Sequence, residues 1–82
     1  MGNVMNKTVF HKTAEIIRDT SGADGFTAEA SLKEDCGLDS LSLVTVIVKL
    51  EQEYGISFRD SDLEPSAIVY VDDLVKLTEE YL

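Results

Sequence analysis

The sequence predicts an all-α protein, a small four-helix bundle with three principal helices and a short third helix, formed by one domain over residues 1–82. Three observations lead there. Apolar residues recur at three- and four-residue spacings near both ends of the chain. The long apolar run after Ser40 lies between a residue type that starts helices and one that stops them. A chain of 82 residues allows a single modest core.

The first helix is expected from about Val4 to Thr20, where Met5, Val9, Phe10, Ala14, Ile16 and Ile17 form an apolar face and Lys7, Lys12, Glu15 and Arg18 fall between them. It stops at "TSGADGF", because Gly22 and Gly25 can take the positive φ angles that turn a chain out of a helix. The connection from about Thr20 to Asp39 is longer than most helix-to-helix loops, as functional or self-packed segments are. Phe26 and Leu32 are expected to tuck into the core beneath it. Ser31 and Glu34, at capping-box spacing, suggest one helical turn near Leu32.

The segment from Leu41 to Tyr54 contains "LVTVIV", which alone would pass for a buried strand. Its flanks favour a helix: Asp39 is a good N-cap, the apolar pattern runs through "KLEQEY" without a breaker, and Gly55 stands where a C-terminal stop belongs. Placed at ~100° steps, Leu43, Ile47, Leu50 and Tyr54 form a core stripe with Val46 at its edge. Leu41, Val44 and Val48 gather on a second sector, beside Thr45 and Gln52, that either packs under the loops or forms an exposed patch next to Ser40.

After "GISF", the stretch "RDSDLEP" has room for one turn before Pro65. The last helix is expected from about Val71 to Leu82, with Leu74, Val75, Leu77, Thr78, Tyr81 and Leu82 on or beside its buried face. Tyr70 is a poor cap, so Asp72 and Asp73 are expected to favour the positive end of the helix dipole.

Composition narrows function. Sixteen acidic against seven basic residues give a formal charge of −9, which repels nucleic acid and anionic lipid and favours basic protein surfaces. No run approaches the ~20 apolar residues of a membrane span, and the N-terminal "MGNVMNK" lacks a signal-peptide core. Asn6 stands where an N-myristoylation motif at Gly2 wants Ser or Thr. The single cysteine, Cys36, excludes an internal disulfide and, with His11 the one histidine, the usual zinc ligand count. A cytoplasmic monomer without nucleic-acid or membrane partners is expected. Cys36 reads as a small half-buried hydrophobe and His11 as a surface helix residue. The acids Asp60, Asp62 and Glu64 lack the glycine and the twelfth-position glutamate of a calcium loop.

Ser40 is the residue with chemistry to offer. A serine there can simply begin a helix. As a hydrolase nucleophile it would need an oriented base and an oxyanion hole, and "GLDSLS" is not the glycine-flanked elbow of such enzymes. A helix N-terminus does suit a phosphoester, since free amides and the dipole both favour added negative charge.

The motif "GLDSLS" followed by "KLEQEYG" resembles the acyl carrier proteins, the phosphopantetheine-dependent carrier family, which present an Asp-Ser-Leu tripeptide at the start of their second helix. The likeness spans nearly the whole chain. It implies that Ser40 receives 4'-phosphopantetheine from coenzyme A through a separate phosphopantetheinyl transferase, and that the arm's thiol holds cargo as a thioester. Asp39 then matches the motif's acid and Leu41 its hydrophobic residue; no residue of the chain is catalytic and none binds a metal. Leu41, Val44, Thr45, Val48 and Gln52 would face partners: the transferase, and acyl-loading and acyl-processing enzymes with basic or apolar docking patches.

Fatty-acid carriers usually line this helix with acids. Here Ser42, Thr45 and Gln52 are neutral while Glu51 and Glu53 remain. That departure favours a specialised, polyketide-like or other secondary pathway over housekeeping fatty-acid synthesis, and "GLDSL" favours an acyl over a peptidyl carrier. The rival reading is a small acidic helical interaction module without a prosthetic group, docking through Leu41, Val44 and Val48.

Overall fold

A computed structural model describes residues 2–64 and 66–82, with the side chains of residues 2–7 excepted, so the expectations for Met5, Lys7 and Pro65 lie outside the described residues. Helix α1 spans Gly2–Ser21, helix α2 Ser40–Tyr54 and helix α3 Val71–Glu80. The short third helix is the one turn expected within "RDSDLEP", a 3-10 turn at Asp60–Asp62.

Helix α1 packs against both α2 and α3. Its buried residues Val9, Thr13, Ile16 and Ile17 follow the helical period and form its inner stripe. The helix ends where Gly22, at φ 82°, donates its N–H to the Arg18 carbonyl at 2.8 Å. At the far end of α2, Gly55 takes the left-handed conformation at φ 65°, and its N–H reaches the Glu51 carbonyl. A side chain there would strain the turn.

The core stripe of α2 is rotated slightly toward Val46 from the sequence expectation. Val46 and Leu50 are fully buried and Ile47 nearly so, whereas Leu43 and Tyr54 only pack against the core from its margin.

The long loop is stapled rather than slack. Ser31 and Tyr70 form an isolated antiparallel bridge, with Leu32 N–H donating to the Val69 carbonyl at 2.9 Å and Val71 N–H to the Ala30 carbonyl at 3.0 Å. A hydrogen-bonded turn near Leu32 is present, and the Ser31 hydroxyl accepts the Glu34 N–H at 3.1 Å. The reciprocal acceptor is Asp35 rather than Glu34: its carboxylate takes the Ser31 N–H at 2.8 Å. Leu32 and Cys36 are buried, so Cys36 lies deeper than the half-buried position expected of it, while Phe26 only borders the core.

Helix α3 buries Val71, Leu74, Val75, Leu77 and Thr78. Asp73 does more than favour the dipole. Its carboxylate accepts the N–H groups of Val69 and Tyr70, each at 2.9 Å, while its own N–H donates to the Tyr70 carbonyl at 3.0 Å. This cap replaces the one that the Tyr70 side chain cannot provide. The helix stops at Glu80, and Leu82 turns out to solvent instead of lying beside the core. The Tyr81 hydroxyl donates to the Asp62 carboxylate and its ring meets Phe58 edge-on at 5.1 Å, which fastens the 3-10 turn to the end of α3.

Candidate functional site

Asp39, Ser40 and Leu41 lie at the junction of the long loop and α2. Asp39 is the N-cap, with extended backbone, and its carboxylate accepts the Ser42 N–H at 2.8 Å. That hydrogen bond holds the Asp39 carboxyl below the ordinary aspartate range, so it stays ionised at neutral pH. With the capping role taken by Asp39, Ser40 is free of it. Ser40 is the first residue of the helix, exposed, and its hydroxyl joins no hydrogen bond among the described residues.

The approach to Ser40 is fixed by the loop before it. The Ser21 hydroxyl, at the end of α1, donates to the Cys36 carbonyl at 2.8 Å, with the Ile17 carbonyl at 3.1 Å as its alternative acceptor. Leu38 N–H donates to the Leu32 carbonyl at 3.0 Å, and the Leu38 side chain is buried. Cys36, between these anchors, is buried and free; desolvation first, then the charge of Asp35, pushes its thiol above the ordinary range. A thiol of this kind is a packing group rather than a nucleophile.

Beside Ser40 lies a groove of about 340 Å³ whose walls come from three parts of the chain: Lys33 and Glu34 of the loop, Leu43 of α2, and Ile68 and Val69 before α3. Ile68 and Val69 were not singled out in the sequence, and Glu34 only as a capping residue. The only signal for the first two was the apolar "AIVY" after Pro65, and nothing local ties that stretch to Ser40. The Ser31–Tyr70 bridge makes the connection.

A larger depression of about 630 Å³ lies elsewhere, between α1 and Asp24–Phe26, and it includes His11. Ser40 does not line it. His11 is exposed on α1, its ring edge-on to Phe10 at 5.9 Å, and it lines no part of the Ser40 groove. The pairing of Ser40 with His11 that a hydrolase would need is not made.

Leu41, Val44 and Val48 settle the alternative left open by their periodicity: they are exposed at 80 %, 55 % and 41 %. Thr45 and Gln52 are exposed beside them, and the Thr45 hydroxyl donates back to the Leu41 carbonyl at 3.1 Å.

An exposed, unpartnered serine hydroxyl on the first residue of a helix, with a partly apolar groove alongside, suits attachment of a phosphoester-linked arm. Comparison with known proteins bears directly on this. The family model for the phosphopantetheine attachment site matches residues 11–68. The chain belongs to the acyl carrier protein family. It is 40 % identical over 76 residues to an acyl carrier protein of Thermotoga maritima, covering 90 % of this chain and 91 % of that one. It is 36 % identical over 74 residues to an acyl carrier protein of Saccharopolyspora erythraea, covering 88 % of this chain and 76 % of the relative. The crystal structure of an acyl carrier protein from Thermotoga maritima superposes with a TM-score of 0.79 at 25 % identity, over 94 % of this chain and 89 % of that one. The cofactor of this family is phosphopantetheine.

Proposed function

We propose that residues 1–82 form a single carrier domain whose Ser40 bears the 4'-phosphopantetheine arm, and that the protein hands acyl or related intermediates between separate enzymes without catalysing a reaction itself. The observation that carries this reading is the Ser40 hydroxyl: exposed, uncommitted, at the first residue of α2 and at the rim of the groove. When bound, the arm supplies a thiol that holds cargo as a thioester.

The chain's own residues prepare and guard the linkage. Asp39 terminates the helix by its carboxylate and so leaves Ser40 to react. Free amides of the first helical turn favour the phosphodiester's negative charge, which the Asp39 carboxylate partly opposes. No base is required next to Ser40, because the transferase with coenzyme A activates it. Leu43, Ile68 and Val69 offer the arm and the start of its cargo an apolar wall.

Leu41, Val44, Thr45, Val48 and Gln52 face the transferase and the loading and processing enzymes. Their neutral character supports a specialised, polyketide-like or other secondary pathway over housekeeping fatty-acid synthesis. The reading includes a cytoplasmic monomer. Among the described residues no helix is long and apolar enough to cross a membrane, and the charge of −9 disfavours nucleic acid. The test is the intact mass after incubation with coenzyme A and a promiscuous phosphopantetheinyl transferase. The expected result is one phosphopantetheine added to the wild type and none to Ser40→Ala.

A further inference from the structure

The groove beside Ser40 contains a cation with nothing to hold. Lys33, Glu34, Asp39 and Ser40 all line it, and Lys33 is the one basic residue among its walls. Lys12, Arg59 and Lys76 each lie within 3.7 Å of a carboxylate, whereas Lys33 is exposed and makes no ion pair among the described residues.

The backbone fixes where this side chain starts. Leu32, just before it, is buried and held from both sides: its N–H donates to the Val69 carbonyl at 2.9 Å and its carbonyl accepts the Leu38 N–H at 3.0 Å. The N–H groups of Asp35 and Cys36 both donate to the Ser31 carbonyl at 3.0 Å, which closes the turn that carries Lys33. Leu38 leads in two residues to Ser40, so these bonds clamp the turn with the lysine to the chain that enters α2.

The neighbouring acids do not consume this charge. Asp39 is engaged by the Ser42 N–H, and Glu34, next in sequence, forms no ion pair with Lys33. A phosphodiester on Ser40 brings a further negative charge to a groove that already holds two carboxylates. Lys33 is the group placed to offset it. A lysine ammonium is a compact charge on a flexible four-carbon stem, and it meets phosphate without needing a fixed fork geometry. Leu43, Ile68 and Val69 keep water from part of the groove, which strengthens a charge pair there over one in open solvent.

Resting on the reading that Ser40 bears the arm, we propose that Lys33 is a positioning residue whose ammonium pairs with the phosphodiester and turns the root of the arm into the groove, against Leu43, Ile68 and Val69. It takes no part in making or breaking the thioester.

The experiment follows the Lys33 ammonium by carbon-13 resonance as pH is raised, in the full chain before and after a promiscuous transferase has loaded it from coenzyme A. Methylating the thiol of that coenzyme A keeps the arm from titrating in the same range. Loading is expected to lower the acid dissociation constant of Lys33 about two- to fivefold, the range of an exposed ion pair. Lys49, about 14 Å along α2 from Ser40 and outside the groove, stays within about 1.5-fold. In the loaded chain, magnetisation transfer from the two methyl groups next to the phosphate to the methyls of Leu43, Ile68 and Val69 is expected to weaken about two- to fivefold in Lys33→Gln and to return in Lys33→Arg. Circular dichroism and melting of the unmodified variants show that the fold is kept.

A Lys33 constant that moves no more than that of Lys49 would overturn the pairing. So would methyl contacts that persist in Lys33→Gln, or that arginine fails to restore. Slower mass addition to Lys33→Gln, with a Lys33 constant unchanged by loading, would assign the lysine to the transferase and also overturn it. If the wild type gains no mass while a control carrier does, the Ser40 reading fails and this proposal falls with it. That outcome is distinct from a chain loaded at Ser40 whose Lys33 does not respond.

Discussion

The Asp39 carboxylate accepts the backbone N–H of Ser42 at 2.8 Å, across the serine that the two residues flank. The acid of the Asp-Ser-Leu motif is thus a structural group in this chain: it closes the first turn of α2 and leaves the Ser40 hydroxyl without an internal partner. Asp39 does the capping, which leaves Ser40 free for the attachment proposed for it.

The first expectation follows from that division. Asp39→Ala lowers the melting temperature at neutral pH, and Asp39→Asn, which keeps an acceptor, recovers most of the loss. Because the folded carboxyl has the lower pKa, its stabilisation is present above the ordinary aspartate range and is lost as pH falls through the folded value. The melting difference between wild type and Asp39→Asn therefore narrows as the solution is acidified through the carboxylate range. Thermal melts across that range check both statements.

Asp73 holds the other junction that shapes the groove. Asp73→Ala removes the acceptor of two backbone N–H groups and is expected to cost about 1–2 kcal/mol, on the scale of a lost cap. Hydrogen exchange of the Val69 and Tyr70 amides should accelerate more than that of Leu74, which sits in the helix interior. Equal acceleration of all three would mean that the carboxylate stabilises the helix as a whole and not the bridge beside it.

The core contains a polar group with no described partner. Thr13 is fully buried and its Oγ1 meets no hydrogen-bond acceptor or donor among the described residues, unlike Thr78, whose hydroxyl donates to the Leu74 carbonyl at 2.8 Å. Thr13→Val, close in shape, is expected to be neutral or to stabilise the protein by about 1 kcal/mol. The same substitution at Thr78 breaks an existing bond and gains less. Urea unfolding of the two variants side by side makes the comparison.

The two apolar sectors of α2 should respond oppositely to truncation. Leu50→Ala is expected to cost about 2–5 kcal/mol, a large share of the stability of so small a domain, because Leu50 has no exposed surface. Leu41→Ala should stay within about 0.5 kcal/mol of wild type in the same unfolding assay, because its side chain is already in water.

Much of this was legible because the relevant signals are local. Asp39 and Gly55 marked the two ends of α2 and overrode the strand preference of "LVTVIV", and the three-to-four spacing in α1 identified Val9, Ile16 and Ile17 as core. The exposure of Leu41, Val44 and Val48 was not decided by period, since two apolar sectors on one helix say nothing about which is covered. The groove was illegible for a related reason: Ile68 and Val69 reach Ser40 only through backbone pairing between Ser31 and Tyr70, which leaves no periodic trace. Glu34 rather than Asp35 was read as the loop's capping acid because the two differ by one position, less than spacing alone resolves. The expected continuation of α3 to Leu82 overlooked that Tyr81 is drawn aside to Phe58 and Asp62.

The claim on which the rest depends is that Ser40, one of seven serines, is the residue that takes the arm. Ser42 lies two positions away and is the neighbour most easily confused with it. The decisive measurement is fragment-level mass spectrometry of the transferase-treated chain, resolving Ser40 from Ser42. The account predicts all of the added phosphopantetheine on Ser40 and none on Ser40→Ala, while Ser42→Ala, once shown to be folded, is still modified at Ser40. Addition at Ser42 or any other serine, or addition that survives Ser40→Ala, would contradict it.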